Sequence, residues 1–326
     1  MKFATWLQDG VERAGVVEGT HAYAFPLGTT VLDLTRAGLV EAVRRGGKLV
    51  DGGRSVSLDS VRLLPPLQPP SIRDFVAFEE HVEGVVRSVS GDATVADQWY
   101  AAPTFYFTNP HTLLATGDDI AAPSGSTALD FELEIGAVIG GVVGSDGRNL
   151  SVEASHDAIF GYTIFNDWSA RDLQGREMKV NLGPCKGKDF GTTLGPWIVT
   201  ADEFESRHDS EGFLPIAMSV SINGVPFGND LLSSMGWPFA ELVAYASRNS
   251  RVVPGDVLGS GTAGTGCLAE IWGRVGSRTP PPLQPGDVVR MEVEGIGAIE
   301  NTVVAGTMLP AVTPARTRPR LVRASV

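Results

Sequence analysis

Residues 129–140 read LDFELEIGAVIG, and how that stretch folds decides how the rest of the chain is arranged. Glu132 and Glu134 stand two apart in an apolar, β-branched run. In a strand, residues i and i+2 point to one face. The stretch therefore predicts a strand with two carboxylates on one side, continued by apolar residues to Val143. Like charges that close repel, and a buried carboxylate is costly unless a partner or a cation balances it. A hard divalent ion, which prefers oxygen ligands, would relieve both. A surface strand with a solvated acidic face is the other reading, and on this pair alone both stand.

Outward from that strand, the pattern is mixed α/β and mostly β. Upstream, residues 1–70 predict a small β-rich domain. Runs 3–7 and 11–17 flank Gln8-Asp9-Gly10, a hairpin signal. Residues 37–46 have helical spacing and end at Gly46-Gly47, and 56–64 read as a strand. PPLQPP, residues 65–70, reads as a stiff linker. In 71–90 the apolar residues Phe75, Phe78, Val82, Val85, Val86 and Val89 make a helical stripe. On one helix Asp74 and His81, seven apart, would share a face. Residues 91–102 have no period and read as a loop or lid, and 103–109 as an aromatic strand.

Downstream, 151–157 predict a short helix, 159–165 a buried strand ending at Asn166-Asp167, and 169–178 a polar helix. Residues 182–195 are Gly-rich and aperiodic. Strands at 197–200 and 216–222 follow, the second closed by Asn223-Gly224, a tight-turn signal. Pro238 starts a helix over 239–247. Turns at Pro254 and Pro285 lead into strands, and 288–293 with 298–304 predict a closing hairpin. The main domain is thus placed at 71–310. The remaining tail, 311–326, has four arginines and no acid and is expected to be mobile.

Composition narrows the function. Hydrophobic content of 43% and charged content of 20% fit a globular protein. A net charge of −12 argues against nucleic-acid or anionic-membrane surfaces, which need a basic patch. Two cysteines, Cys185 and Cys267, make neither a disulfide framework nor a zinc site and fit a reducing compartment. No apolar run approaches the ~20 residues of a membrane span. A cytoplasmic location is the expectation.

Several residues stand out singly. Asp167 at a strand end is a turn residue or a ligand. Arg171 and Gln174, one turn apart, could hold an anion. Lys188 in CKGKDFG is a solvated lysine or a cation aimed into a pocket. His81 has no sequence neighbour as partner, and His21, His111, His156 and His208 show no metal-ligand spacing. Residues 259–266, GSGTAGTG, match G-x-G-x-x-G, but CLAEIWGRVG after them is short and β-prone. That favours a flexible active-site loop over a nucleotide site. Glu270 lies in an apolar run with no local partner.

Taken together, these segments resemble the fumarylacetoacetate hydrolase family. The carrying motifs are RDFVAFEEH (73–81), FELEIGAVIG (131–140), GYTIFNDWSARDLQ (161–174), KGKDFGTTLGPW (186–197), GSGTAGTGCLAEI (259–271) and PGDVVRMEVEGIGAIEN (285–301). The resemblance implies a mixed β-roll, a homodimer, and a Mg²⁺ site (Ca²⁺ or Mn²⁺ in its place) formed by Asp74, Glu132, Glu134 and Asp167. It implies a catalytic pair His81–Glu270, with Lys188 as a further catalytic residue. Arg171, Gln174 and Thr262 match substrate-contacting positions. Two substrate tyrosines of the family fall on Val76 and Met178, which puts fumarylacetoacetate itself in doubt as a substrate; Tyr106 could restore one hydroxyl. The implied reaction is hydrolysis of a C–C bond in a 1,3-diketone or acylpyruvate through a metal-bound enolate. The rival reactions are decarboxylation, tautomerisation or isomerisation of oxaloacetate-like acids. An inactive metal-binding paralogue is the non-enzyme alternative.

Overall fold

The computed structural model describes residues 1–90 and 94–318. Its spine is a twelve-stranded mixed sheet. The core of that sheet is the antiparallel trio Thr192–Thr200, Ile159–Asp167 and Leu133–Ile139, extended by Val257–Gly259, Ile72–Phe75 and Phe105–Thr108. Every residue of IFGYTIFND, 159–167, is buried. A strand with neighbours on both edges and layers on both faces has no polar side to show, so its sequence runs apolar without alternation.

A second, five-stranded sheet shares its core with the first. Here Val288–Val293 alternates between buried and exposed residues. It pairs with Gly297–Val304, and Ala217–Ile222 turns into Val225–Leu231 through Asn223 and Gly224, both at positive φ. Tyr162, Ile164 and Val199 of the first sheet share one core with Met218, Val220, Met291 and Ile299 of the second. Strands outnumber helices, as the patterning predicts.

The N-terminal strand Lys2–Gln8 pairs antiparallel with Thr192–Thr200, so the first residues of the chain join the main sheet directly. The helix expected to stop at Gly46-Gly47 instead runs Leu39–Asp51, preceded by a second helix, Val31–Ala37, which Thr30 and Asp33 cap reciprocally. Gly46 is there for closeness, not termination: a Cβ would stand 2.1 Å from Met1 Sδ. The strand expected over 56–64 is broken into Val56–Ser57 and Arg62–Leu64 by a turn.

The largest correction concerns 71–90. It is not one helix but a strand, Ile72–Phe75, followed by a helix, Glu79–Ser90. All four residues of IRDF are buried, and Arg73 forms a buried ion pair with Asp256 at 3.1 Å. The apolar spacing that suggested one helix spans the break, so Asp74 and His81 do not share a helical face. Val86 and Val89 of that stripe have side chains outside the described residues. The expected loop 91–102 contains a short helix, Asp97–Ala101; residues 91–93 lie outside the described part. The β-prone reading of 267–276 fails too. It is a helix, Leu268–Val275, ended by Gly276 at φ 74. In the tail, 311–318 are exposed and irregular, and the expected mobility of 319–326 falls outside the described residues.

A buried carboxylate basin with a histidine–glutamate pair

Four carboxylates meet where the central strands end. Asp74 pairs in register with Gly259 on one side and Tyr106 on the other. Gly259 keeps this place open, because a Cβ there would stand 2.4 Å from Asp74 Oδ1 and 3.1 Å from Glu134 Oε2. The predicted acidic strand breaks between Leu129–Asp130 and Leu133–Ile139, which puts Glu132 at the break and Glu134 within the second strand. Asp167 ends its own strand. All four residues are at most 4% exposed. Oxygens of Asp74, Glu132 and Asp167 lie within 4.8 Å of one another. Glu134 accepts from the Gly261 N–H at 3.2 Å and the Thr262 hydroxyl at 3.3 Å.

Two cations answer these charges unevenly. Lys188 donates to Asp167 at 2.5 Å and also to Glu132. Arg171 reaches Glu132 at 2.7 Å and Asp130 at 2.8 Å. Burial alone would raise Glu132, but Lys188 and Arg171 outweigh it and hold its carboxyl well below the usual range. Asp74 and Glu134 have no such partner. Burial, then the neighbouring Asp167, pushes Asp74 up; burial, then Asp74, pushes Glu134 up. Asp167 is raised by burial, with Lys188 opposing. One oxygen each of Asp74 and Asp167 (Oδ1 in both) is buried with no hydrogen-bond partner. A donor set of oxygens only, short of positive charge and with two orphaned lone-pair sites, fits a hard divalent ion.

Beside the basin sits the second expected pair. His81, in the first turn of its helix, places Nδ1 2.9 Å from Glu270 Oε1. The other Glu270 oxygen accepts the Thr265 N–H at 2.8 Å. A carboxylate accepts only, so Nδ1 carries the proton toward Glu270 and Nε2 is left with a free lone pair. That nitrogen is 3.9 Å from Glu132 Oε1, at the edge of the basin.

Two participants were not singled out by sequence. Asp130, fully buried, accepts the Leu268 N–H at 2.8 Å and the Ala269 N–H at 3.0 Å. It thus binds the start of the helix that carries Glu270 and also holds Arg171. The signal was present, since Asp130, Glu132 and Glu134 recur at every second residue. Cys267 places Sγ 3.7 Å from His81 Nδ1. Burial, then Asp130 and Glu270, raises its thiol, which stays protonated.

The expected substrate contacts divide. Arg171, Gln174 and Met178 line a cavity of about 360 Å³ with Val85, Ala269 and Trp272. Val76 is not among its lining residues; it packs under Gly261, its carbonyl accepting the Trp99 indole at 2.6 Å. The Tyr106 hydroxyl is spent on Asp167 at 2.5 Å, and that of Thr262 on Glu134. Both therefore brace carboxylates.

Comparison with known proteins follows the same outline. Residues 71–304 match the family model described as fumarylacetoacetate (FAA) hydrolase, C-terminal. The chain is 31% identical over 245 residues to the fumarylacetoacetase of Dictyostelium discoideum, covering 63% of this chain and 57% of that one. It is 35% identical over 198 residues to a mitochondrial oxaloacetate tautomerase of Xenopus laevis, covering 59% and 55%. The matched region thus spans little more than half of these relatives' length. A solved maleylpyruvate hydrolase from Sphingobium sp. SYK-6, in complex with manganese(II) and pyruvate, superposes with a TM-score of 0.68 at 20% identity, covering 94% of this chain and all of that one. Among the described residues no helix is long and apolar enough to cross a membrane.

Proposed function

Since the chain belongs to the fumarylacetoacetate hydrolase family, we propose that it hydrolyses a C–C bond in a small 1,3-dicarbonyl acid of the acylpyruvate type. The observation that carries this reading is the 2.9 Å His81–Glu270 pair, buried against the carboxylates. A divalent cation, Mg²⁺ or Mn²⁺, held by Asp74, Glu132, Glu134 and Asp167 would supply Lewis-acid polarisation of a substrate carbonyl. Manganese in the maleylpyruvate hydrolase supports the ion class.

His81 Nε2 takes a proton from water, and Glu270 fixes the ring and stabilises the imidazolium. The hydroxide oxygen bonds to the acyl carbon. The C–C bond then breaks, its electron pair passes to the pyruvate-type fragment as an enolate, and a proton returned from His81 gives the second acid. Lys188, already in the basin, stabilises oxyanion charge. Arg171 and Gln174 at the 360 Å³ cavity orient the substrate's carboxylate end.

Tautomerisation of an oxaloacetate-like acid is the second reading, favoured by the 35% identity to the tautomerase. It uses the same base without attack by water. Product analysis with acetopyruvate and with oxaloacetate, each with Mg²⁺, separates them. Acetate plus pyruvate from the first supports hydrolysis. Enol–keto exchange of the second, with acetopyruvate untouched, overturns it in favour of the tautomerase.

A further inference from the structure

Far from the basin, His156, Glu205 and His208 converge. We infer that these three side chains form a separate site for a divalent transition ion of the zinc class. One ligand atom from each lies within 4.8 Å of the others. His156 Nε2 is 3.5 Å from Glu205 Oε2, and the two rings stand 5.4 Å apart at 61°. Zinc holds nitrogen and oxygen at roughly 2.0–2.2 Å, so its tetrahedral ligands stand roughly 3.3–3.5 Å apart. Small rotations of these partly exposed side chains close the remaining distance.

The backbone already fixes the cluster. His156 lies in the helix Val152–Asp157, which leads into the strand Ile159–Asp167. Glu205 lies in the segment Ala201–Arg207, which leaves the strand Thr192–Thr200, and His208 follows it. Those two strands are paired, with Gly161 opposite Thr200, so both ligand-bearing segments hang from one end of the sheet. Rigid elements hold a coordination set better than loops do.

One second nitrogen is placed as well: His208 Nδ1 is 3.4 Å from the Glu205 carbonyl. A ring N–H directed at a carbonyl is a usual support of a metal-bound histidine, and it leaves Nε2 for the ion. Two imidazoles and one carboxylate select zinc, cobalt, nickel or copper over magnesium, the reverse of the basin's preference. Three protein ligands leave a fourth position for water. Both histidines also border an apolar cavity of about 380 Å³ lined by Phe213, Pro238 and Phe239.

The test is a Co²⁺ titration of the whole protein with Mg²⁺ in excess, read by visible absorption. The expected result is one equivalent of intense bands from a four-coordinate site, bleached by Zn²⁺ and insensitive to Mg²⁺. His208→Ala should abolish the bands, and Glu205→Gln should weaken Co²⁺ binding about tenfold. Asp74→Asn, at the basin, should leave them in place. Absence of the bands at micromolar Co²⁺ overturns the inference. So does their persistence in folded His208→Ala, an unchanged Co²⁺ affinity in folded Glu205→Gln, or their loss in folded Asp74→Asn.

Discussion

Two clusters in this molecule are suited to a divalent ion, and they live in opposite physical regimes. At the centre, Asp74, Glu132, Glu134 and Asp167 are sealed in, and two of them are already paired: Glu132 with Lys188 and Arg171, and Asp167 with Lys188. At the rim, the side chains of His156 and Glu205 are 41% and 65% exposed. Charge in the basin acts at low dielectric, where each group's state depends on every other. Charge at the rim is screened by water, and an ion pair there contributes little by itself. Fold and chemistry are therefore coupled in the basin and separable at the rim.

Activity gives the sharpest contrast. Glu132→Gln or Asp167→Asn should lower kcat/KM for the proposed substrate about a thousandfold, measured by steady-state kinetics at saturating Mg²⁺. His208→Ala should leave it within about twofold, as expected of a surface change remote from the chemistry. A comparable loss in His208→Ala would break the distinction between the two clusters.

Stability should follow the same division. Lys188→Met leaves Asp167 without its buried cation and Glu132 with Arg171 alone, and should cost about 3–5 kcal/mol in urea unfolding. Excess Mg²⁺ should recover part of that loss by supplying charge to the same oxygens. His156→Ala should stay within about 0.5 kcal/mol. If Lys188→Met is neutral without metal, the basin is not short of positive charge.

How far each cluster was legible in the sequence follows from the same geometry. Glu132 and Glu134 declare themselves because a strand turns two residues of spacing into one shared face. Asp167 is visible as an acid at the end of an apolar run. Asp74 is misleading, because the apolar spacing of Phe75, Phe78, Val82 and Val85 continues across a strand, a bend and a helix and so assigns it to the helix. His81 and Glu270 have no pattern joining them: their contact is made by two helices 189 residues apart in the chain. Only the resemblance carried that pairing. His156 and His208 show no ligand spacing, since the paired strands that bring them together leave no local trace. Local periodicity reports on one element at a time, whereas these sites are made where elements end.

Proton linkage tests the basin alone. Burial and mutual repulsion raise Asp74 and Glu134. A raised carboxyl makes the metal-free fold hold protons that the unfolded chain releases. Its contribution is therefore full below the ordinary carboxylate range and lost as pH climbs through the raised values, by up to about 1.4 kcal/mol per pH unit for each proton. Glu132, held low, works oppositely: its contribution is present above the ordinary range and lost as pH falls toward its lowered value. A cation that takes the protons' place makes Mg²⁺ stabilisation larger at pH 8 than at pH 5, read as the shift in Tm with and without Mg²⁺. An equal shift at both pH values would mean that Asp74 and Glu134 are already ionised without metal.

The smallest effect is the one that probes how the basin is joined to its base. Asp130 touches neither the base nor the clustered ligand oxygens. It holds Arg171, which holds Glu132, and it anchors the first N–H groups of the helix bearing Glu270. Asp130→Asn keeps the shape but turns one oxygen into an NH₂, which must face either the Phe131 and Leu268 N–H groups or the Ala269 N–H and Arg171 Nε. Two buried donors are then left without an acceptor. The helix start should loosen, and Glu270 with it, so that His81 is held less well. We expect kcat to fall about tenfold with KM nearly unchanged, and Mg²⁺ affinity to hold within a few-fold. A purely structural role would lower the amount of folded enzyme without changing kcat per folded site, and an unchanged kcat would confine Asp130 to capping its helix.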